Sequence, residues 1–223
     1  MKFVVLDSGP LISLALNGLL NTLEKLRQKF PSVQFVMTPQ VKKEVIDKAF
    51  TVKKYELEAI KLQTLIDKRV IIPSSDLVQS NQLEKETARI LRVANSTLKA
   101  DGHFLEIVQI GEASCLAFCN LCGCDSVIAL DERVTRLLTE SPENLKAIQE
   151  RKLHITVSIN QKNLKDFKNF RFIRSTELVY IAYKNNLYDY KKDKLLLDAL
   201  LYSLKHAGSS ISTKEIEEIK SLA

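Results

Sequence analysis

The sequence predicts an α/β domain of parallel strands with helices on both faces, and three observations carry that expectation. Short apolar runs, Phe3 to Leu6 and Val127 to Leu130 among them, alternate with longer amphipathic stretches. Both of those runs end on a carboxylate, Asp7 and Asp131, where open parallel sheets present ligand-facing groups. At 223 residues and 45% hydrophobic content, the chain can bury a sizeable core and is too apolar for a disordered class.

Taken from the N-terminus, Phe3 to Leu6 reads as a strand and Leu11 to Phe30 as one broken helix or two. Val33 to Met37 is strand-like. Thr38-Pro39 then supplies an N-cap with proline at the first helical position, which predicts a helix to about Lys48. Residues 52 to 68 read as helix, Val70 to Ile72 as a short extended piece and Gln82 to Leu98 as helix. Gly111 breaks the pattern, a helix follows to about Cys122, and Gly123 closes it. After the strand Val127 to Leu130 comes a helix from Glu132 to Leu138. Leu153 to Val157 and Phe170 to Ile173 are candidate strands separated by the lysine-rich NQKNLKDFKN. Helices over Thr176 to Lys184, Lys191 to His206 and Ser212 to Leu222 finish the chain, the last opened by a Ser212/Glu215 capping box.

A formal charge of +6 favours polyanionic partners. No run approaches the roughly 18 apolar residues of a membrane span, and the first residues lack a secretory signal, so a cytoplasmic location without a membrane partner is expected. Cys115, Cys119, Cys122 and Cys124 crowd into one short stretch, too local for a disulfide framework; the first three share a helix face and read as small core residues rather than a zinc knot.

Four acids fall at equivalent places: Asp7 and Asp131 at strand ends, Glu44 a turn and a half into the Thr38-Pro39 helix, and Glu112 in the first turn after Gly111. Each has a plain reading: Asp7 and Asp131 as helix caps, Glu44 as a solvated helix acid, Glu112 as an acid favoured by the helix dipole. Gathered in one cleft they would repel one another unless a cation sat between them. Oxygen-only ligands select Mg2+ or Mn2+, and such an ion can activate water against a phosphodiester.

The joint pattern resembles the PIN-domain nucleases over nearly the whole chain. VVLDSGPLISLA is similar to that family's opening strand with its first acid, and FVMTPQVKKEVID to its second block. GEASCLAFCNLCGCDSVIALDERVTRLL resembles a branch in which Gly-Glu-Ala opens the helix of the third acid, and FRFIRSTELVYIAYKNNL resembles that branch's last strand and helix. The resemblance implies a three-layer fold with a central parallel sheet of about five strands, residues 170 to 174 forming the fifth. It also implies a single domain over 1–223, with an insertion at 142–168 and a helical C-terminal extension over 176–223. The segment from Gln79 to Gln109 is likewise longer than a minimal member needs.

The implied activity is Mg2+- or Mn2+-dependent hydrolysis of RNA, often by the toxin of a toxin–antitoxin pair. Asp7, Glu112 and Asp131 would hold the metal directly or through water, while Glu44 would orient or deprotonate the attacking water or act as an outer ligand. Ser8 either hydrogen-bonds a ligand carboxylate or phosphate, or simply forms a turn. Lys162, Lys165, Lys168, Arg171 and Arg174 recur every third residue, which reads as an RNA-binding stripe or a solvated basic face. The implied partners are RNA, a small antitoxin protein and a second copy of the chain. The alternative is a non-cleaving scaffold of the same kind that binds RNA or a protein, or an RNA-processing factor in a larger assembly.

Overall fold

A computed structural model describes residues 2–122 and 125–222. Among these residues the chain begins with β1 (Lys2–Leu6), α1 (Ser8–Leu16), α2 (Asn21–Lys29), β2 (Val33–Met37) and α3 (Pro39–Lys42). It continues through α4 (Glu56–Asp67), β3 (Ile71–Pro73), α5 (Ser80–Asn95), β4 (Leu98–Ala100), β5 (His103–Phe104) and α6 (Ile110–Cys122). Then follow β6 (Ser126–Ala129), α7 (Arg133–Glu140), α8 (Pro142–Leu153), β7 (Val157–Ile159) and β8 (Phe172–Ile173). The helices α9 (Ser175–Lys184), α10 (Lys194–His206) and α11 (Thr213–Ser221) complete the order.

Five strands form one parallel sheet in the order β3-β2-β1-β6-β8, as the α/β expectation requires. Successive residues Val5 and Leu6, and likewise Phe35 and Val36, are all buried, so both faces are covered by helices. Chain direction across the sheet reverses at β1: β2 and β3 lie on one side, β6 and β8 on the other. In open sheets the crevice at such a reversal, beyond the carboxyl ends of the strands, is where ligands bind. The ladder runs right to that rim, where Asp7 N–H donates to Ala129 O at 3.0 Å.

Several predicted elements move. The helix after Thr38-Pro39 is α for one turn, then widens into a π-helical turn at Lys43–Asp47, and short 3-10 turns carry the chain to α4 at Glu56 rather than at residue 52. Gly111 lies inside the first turn of α6 instead of breaking the chain ahead of it. The expected helix closure at Gly123, and Cys124 with it, lie outside the described residues.

The predicted strand Leu153 to Val157 is corrected. Pro142 starts a helix that runs through Leu153, His154 takes a left-handed turn at φ 57°, and extended backbone begins only at Val157. That strand joins β4 and β5 in a separate antiparallel sheet of order β5-β4-β7. The long segment before Gln109 and the 142–168 region are therefore joined to each other, with Arg89 ion-paired to Asp166 and Asn163 Nδ2 donating to Val93 O at 3.1 Å. No helix among the described residues is long and apolar enough to cross a membrane.

The approach to α6 is held by one side chain. Asn95 Oδ1 accepts from Ile107 N at 2.8 Å and Val108 N at 2.9 Å, while its Nδ2 donates to Val108 O at 3.0 Å. Asn95→Ala leaves these backbone groups without partners and is expected to cost ~2 kcal/mol, a fall in melting midpoint of roughly 4–8 °C for a chain of this size. Asn95→Asp, which keeps the two acceptor bonds, should lose less; differential scanning calorimetry on both variants checks the ordering.

Candidate active site

Asp7 is the first residue past β1 and the N-cap of α1, where its Oδ2 accepts from Gly9 N at 3.3 Å. Its other oxygen, Oδ1, is buried and has no hydrogen-bond partner. Burial pushes the Asp7 carboxyl up to about 6; the backbone N–H groups of Gly9 and Ser8 pull it down, and the charges of Glu44 and Asp131 push it up again.

Glu112 is brought beside it by α6. Its Oε2 accepts from Gln109 N at 2.8 Å and from Thr135 Oγ1 at 2.9 Å. Burial again dominates and, with the Asp7 and Glu132 charges, raises Glu112 to about 7 against the lowering effect of the Gln109 and Thr135 bonds.

Glu44 arrives from the opposite side on the π-helical turn. Buried hydroxyls tie the two helix starts together: Thr38 Oγ1 and Ser114 Oγ lie 2.6 Å apart, and Ser114 Oγ donates to Gly111 O at 2.6 Å. Gly111 itself supplies the room. A methyl group there would stand 3.3 Å from Glu44 Oε2 and 3.5 Å from Asp7 Oδ1, so it would occupy the space beside both oxygens.

Asp131 shares the rim but is engaged differently. Its Oδ1 accepts from Ser175 N at 2.8 Å and Ser209 Oγ at 3.1 Å, and its Oδ2 from Ser175 Oγ at 2.7 Å and Ser13 Oγ at 3.2 Å. Four hydrogen bonds use the acceptor capacity of this buried carboxylate and join β6 to α1, α9 and the loop after α10. Nothing in the sequence marks Thr135, Ser175 or Ser209 for these roles; only Ser13, a polar residue within the apolar LISLAL, leaves a trace there.

The predicted basic stripe divides. Lys162, Lys165 and Lys168 flank and span the 3-10 turn Asn163–Phe167, where every third residue eclipses, and all three are exposed over buried Phe167. Arg171 pairs with Asp125. Arg174 is buried against Glu177 at 2.7 Å and Glu215 at 2.6 Å, so it braces α9 and α11 and offers no surface to a strand of RNA. Ser8 is half-buried in the first turn of α1. Cys115 is fully buried, its Sγ 3.7 Å from Leu6 O.

Among the described residues no three His, Cys, Asp or Glu side chains close directly around a point that could hold an ion. Magnesium, however, is commonly held by one or two carboxylates with water and substrate oxygens completing its shell. The orphaned Asp7 Oδ1, the space kept by Gly111 and an all-oxygen donor set fit that mode, with Asp7 and Glu44 both beside that space and Glu112 near Asp7. Comparison of the chain with protein-family models, curated proteins and solved structures finds no match.

The buried carboxyl has a measurable cost. Because Asp7 titrates at about 6 when folded against an ordinary value of 3.8, the native chain holds its proton to higher pH than the unfolded one, and stability falls as pH rises through that interval. Asp7→Asn keeps a capping side chain and is expected to be more stable than wild type by ~2–3 kcal/mol at neutral pH without divalent ions. Near the unfolded carboxyl value the difference should vanish. Urea denaturation at both pH values measures it.

Proposed function

We propose that the chain is a divalent-metal-dependent endoribonuclease of the PIN-domain kind. The observation that carries this reading is the buried, unpartnered Asp7 Oδ1 at the crevice where the sheet reverses, beside the space kept by Gly111 that Glu44 also borders. A lone buried carboxylate oxygen is costly unless a cation or donor completes it. Acids gathered beyond the strand ends, in a chain of net charge +6, favour RNA as the substrate.

Asp7 and Glu44 would hold Mg2+ or Mn2+ through Oδ1 and Oε2, with Glu112 contributing the oxygen not bonded to Gln109 and Thr135. When bound, the ion lowers the pKa of a coordinated water and offsets charge developing on the phosphorus. Glu44, the least buried of the three, orients the attacking water and accepts its proton. Thr135 and Gln109 fix the rotamer of Glu112. Asp131, its oxygens already bonded to three serines, supports the rim and would not ligate the metal directly.

A second reading, a scaffold that binds a protein partner without cutting, is favoured by an apolar groove of about 360 Å3 beside Glu44, lined by Ile12, Leu16, Val52 and Tyr55. A small antitoxin and a homodimer rest on the family resemblance alone.

The two readings separate on a mixed RNA pool. Wild type with Mn2+ is expected to shorten it, EDTA to stop cleavage, and Asp7→Asn to lower the rate at least a thousandfold; an intact pool with wild type would remove the nuclease reading. Independently of cleavage, Mn2+ should raise the thermal midpoint of wild type. Gly111→Ala, whose methyl fills the space between Asp7 and Glu44, should abolish that rise while changing the metal-free midpoint little.

A further inference from the structure

The acids at the rim would repel the backbone of the strand they cut, so a phosphate next to the scissile bond needs positive charge close by. One cleft supplies it. Between α7 and the loop 207–212 lies a polar cavity of about 640 Å3 whose walls include Arg133, Arg136, Lys205 and Ser210. It is tied to the acid cluster by hydrogen bonds: Ser209 Oγ, in its wall, donates to Asp131 Oδ1 at 3.1 Å, Ser210 N donates to the Asp131 backbone carbonyl at 3.3 Å, and Thr135, next to Arg136 on α7, donates to Glu112.

Arg136 is the informative residue. It is half-buried, and its guanidinium is held by neutral acceptors, Nε to Glu132 O at 3.2 Å and Nη2 to Ser210 Oγ at 3.0 Å. These bonds use two of the N–H donors of a guanidinium and leave the others of its planar fork free. Among the described residues no carboxylate pairs with it, nor with Arg133 or Lys205. Glu215, in the same wall, is taken by Arg174 and Ser212, which leaves Glu140 as the other acid there. Burial and the neighbouring Arg174 push the Arg136 pKa down against the opposing charges of Glu140, Glu177 and Glu215, none of which forms an ion pair with it. The contrast with Arg174, neutralised by two carboxylates, is direct.

We propose that this cleft binds a backbone phosphate of the single-stranded RNA cut at the acid cluster, with Arg136 as its pre-positioned fork and Arg133 and Lys205 as flanking charges. Arginine held in a fixed plane matches phosphate oxygens two at a time. The inference rests on the ribonuclease reading for its substrate, but its test is binding rather than cleavage.

The test is fluorescence anisotropy of a labelled single-stranded RNA in EDTA over a series of salt concentrations. Asp7→Asn, which removes one of the repelling charges, is expected to bind at least as tightly as wild type. Arg133→Gln/Arg136→Gln should weaken binding at least tenfold and flatten the plot of log affinity against log salt by about 0.7 per phosphate contact removed. Arg133→Gln/Lys205→Gln, which leaves the half-buried Arg136 in place, guards against misfolding and should also weaken binding and flatten the slope. Lys162→Gln/Lys165→Gln/Lys168→Gln, which removes more charge, should have the smaller effect. Wild-type affinity and slope in both cleft variants, a larger loss in the triple-lysine variant, or failure of the wild type to bind would each overturn the proposal. Binding through the cleft with no metal-dependent cleavage would instead leave the site standing and remove the nuclease reading.

Discussion

Everything at the rim of the sheet is organised around one unsatisfied oxygen. Asp7 must follow a buried strand and start a helix, so its carboxylate is taken out of water by the fold itself, and the α1 cap satisfies only Oδ2. Its neighbours are each relieved in another way. Glu112 receives a hydroxyl and a backbone N–H, Asp131 receives four donors, and Glu44 keeps contact with solvent. The strain of the arrangement therefore concentrates at Oδ1, and a glycine at position 111 keeps the adjoining space from being filled by protein.

The sheet and the acids were legible in the sequence for the same reason. A strand buried on both faces is a short apolar run, and a carboxylate at its end stands out. The Thr38-Pro39 helix start was equally plain, because cap and proline act locally. What followed was not: the π-helical turn carrying Glu44 differs from an α turn by one residue of hydrogen-bond register, and nothing in KKEVID marks it. The strand expected at Leu153 failed because LHITV is apolar enough for an extended reading, while the helix beginning at Pro142 continues into it. The serines around Asp131 come from positions 13, 175 and 209, a meeting that only tertiary structure arranges.

Those serines change how the C-terminal helices are understood. Read along the chain, residues after 175 look like an addition to a finished sheet. In space, the first residue of α9 and the loop after α10 hold the carboxylate at the end of β6, and Arg174 clamps α9 to α11 through Glu177 and Glu215. The rim is thus braced from the far end of the sequence, and the same loop forms one wall of the cleft containing Arg136.

The small antiparallel sheet has a further consequence. Its middle strand, Leu98–Ala100, comes from the stretch ahead of α6, and one of its outer strands, Val157–Ile159, from the region after α7. Shortening either stretch alone would strip the other of its partner and bare the backbone amides of Leu98–Ala100 or Val157–Ile159. The two stretches are therefore one structural module, and any trimmed version of this protein has to excise both ends of it at once.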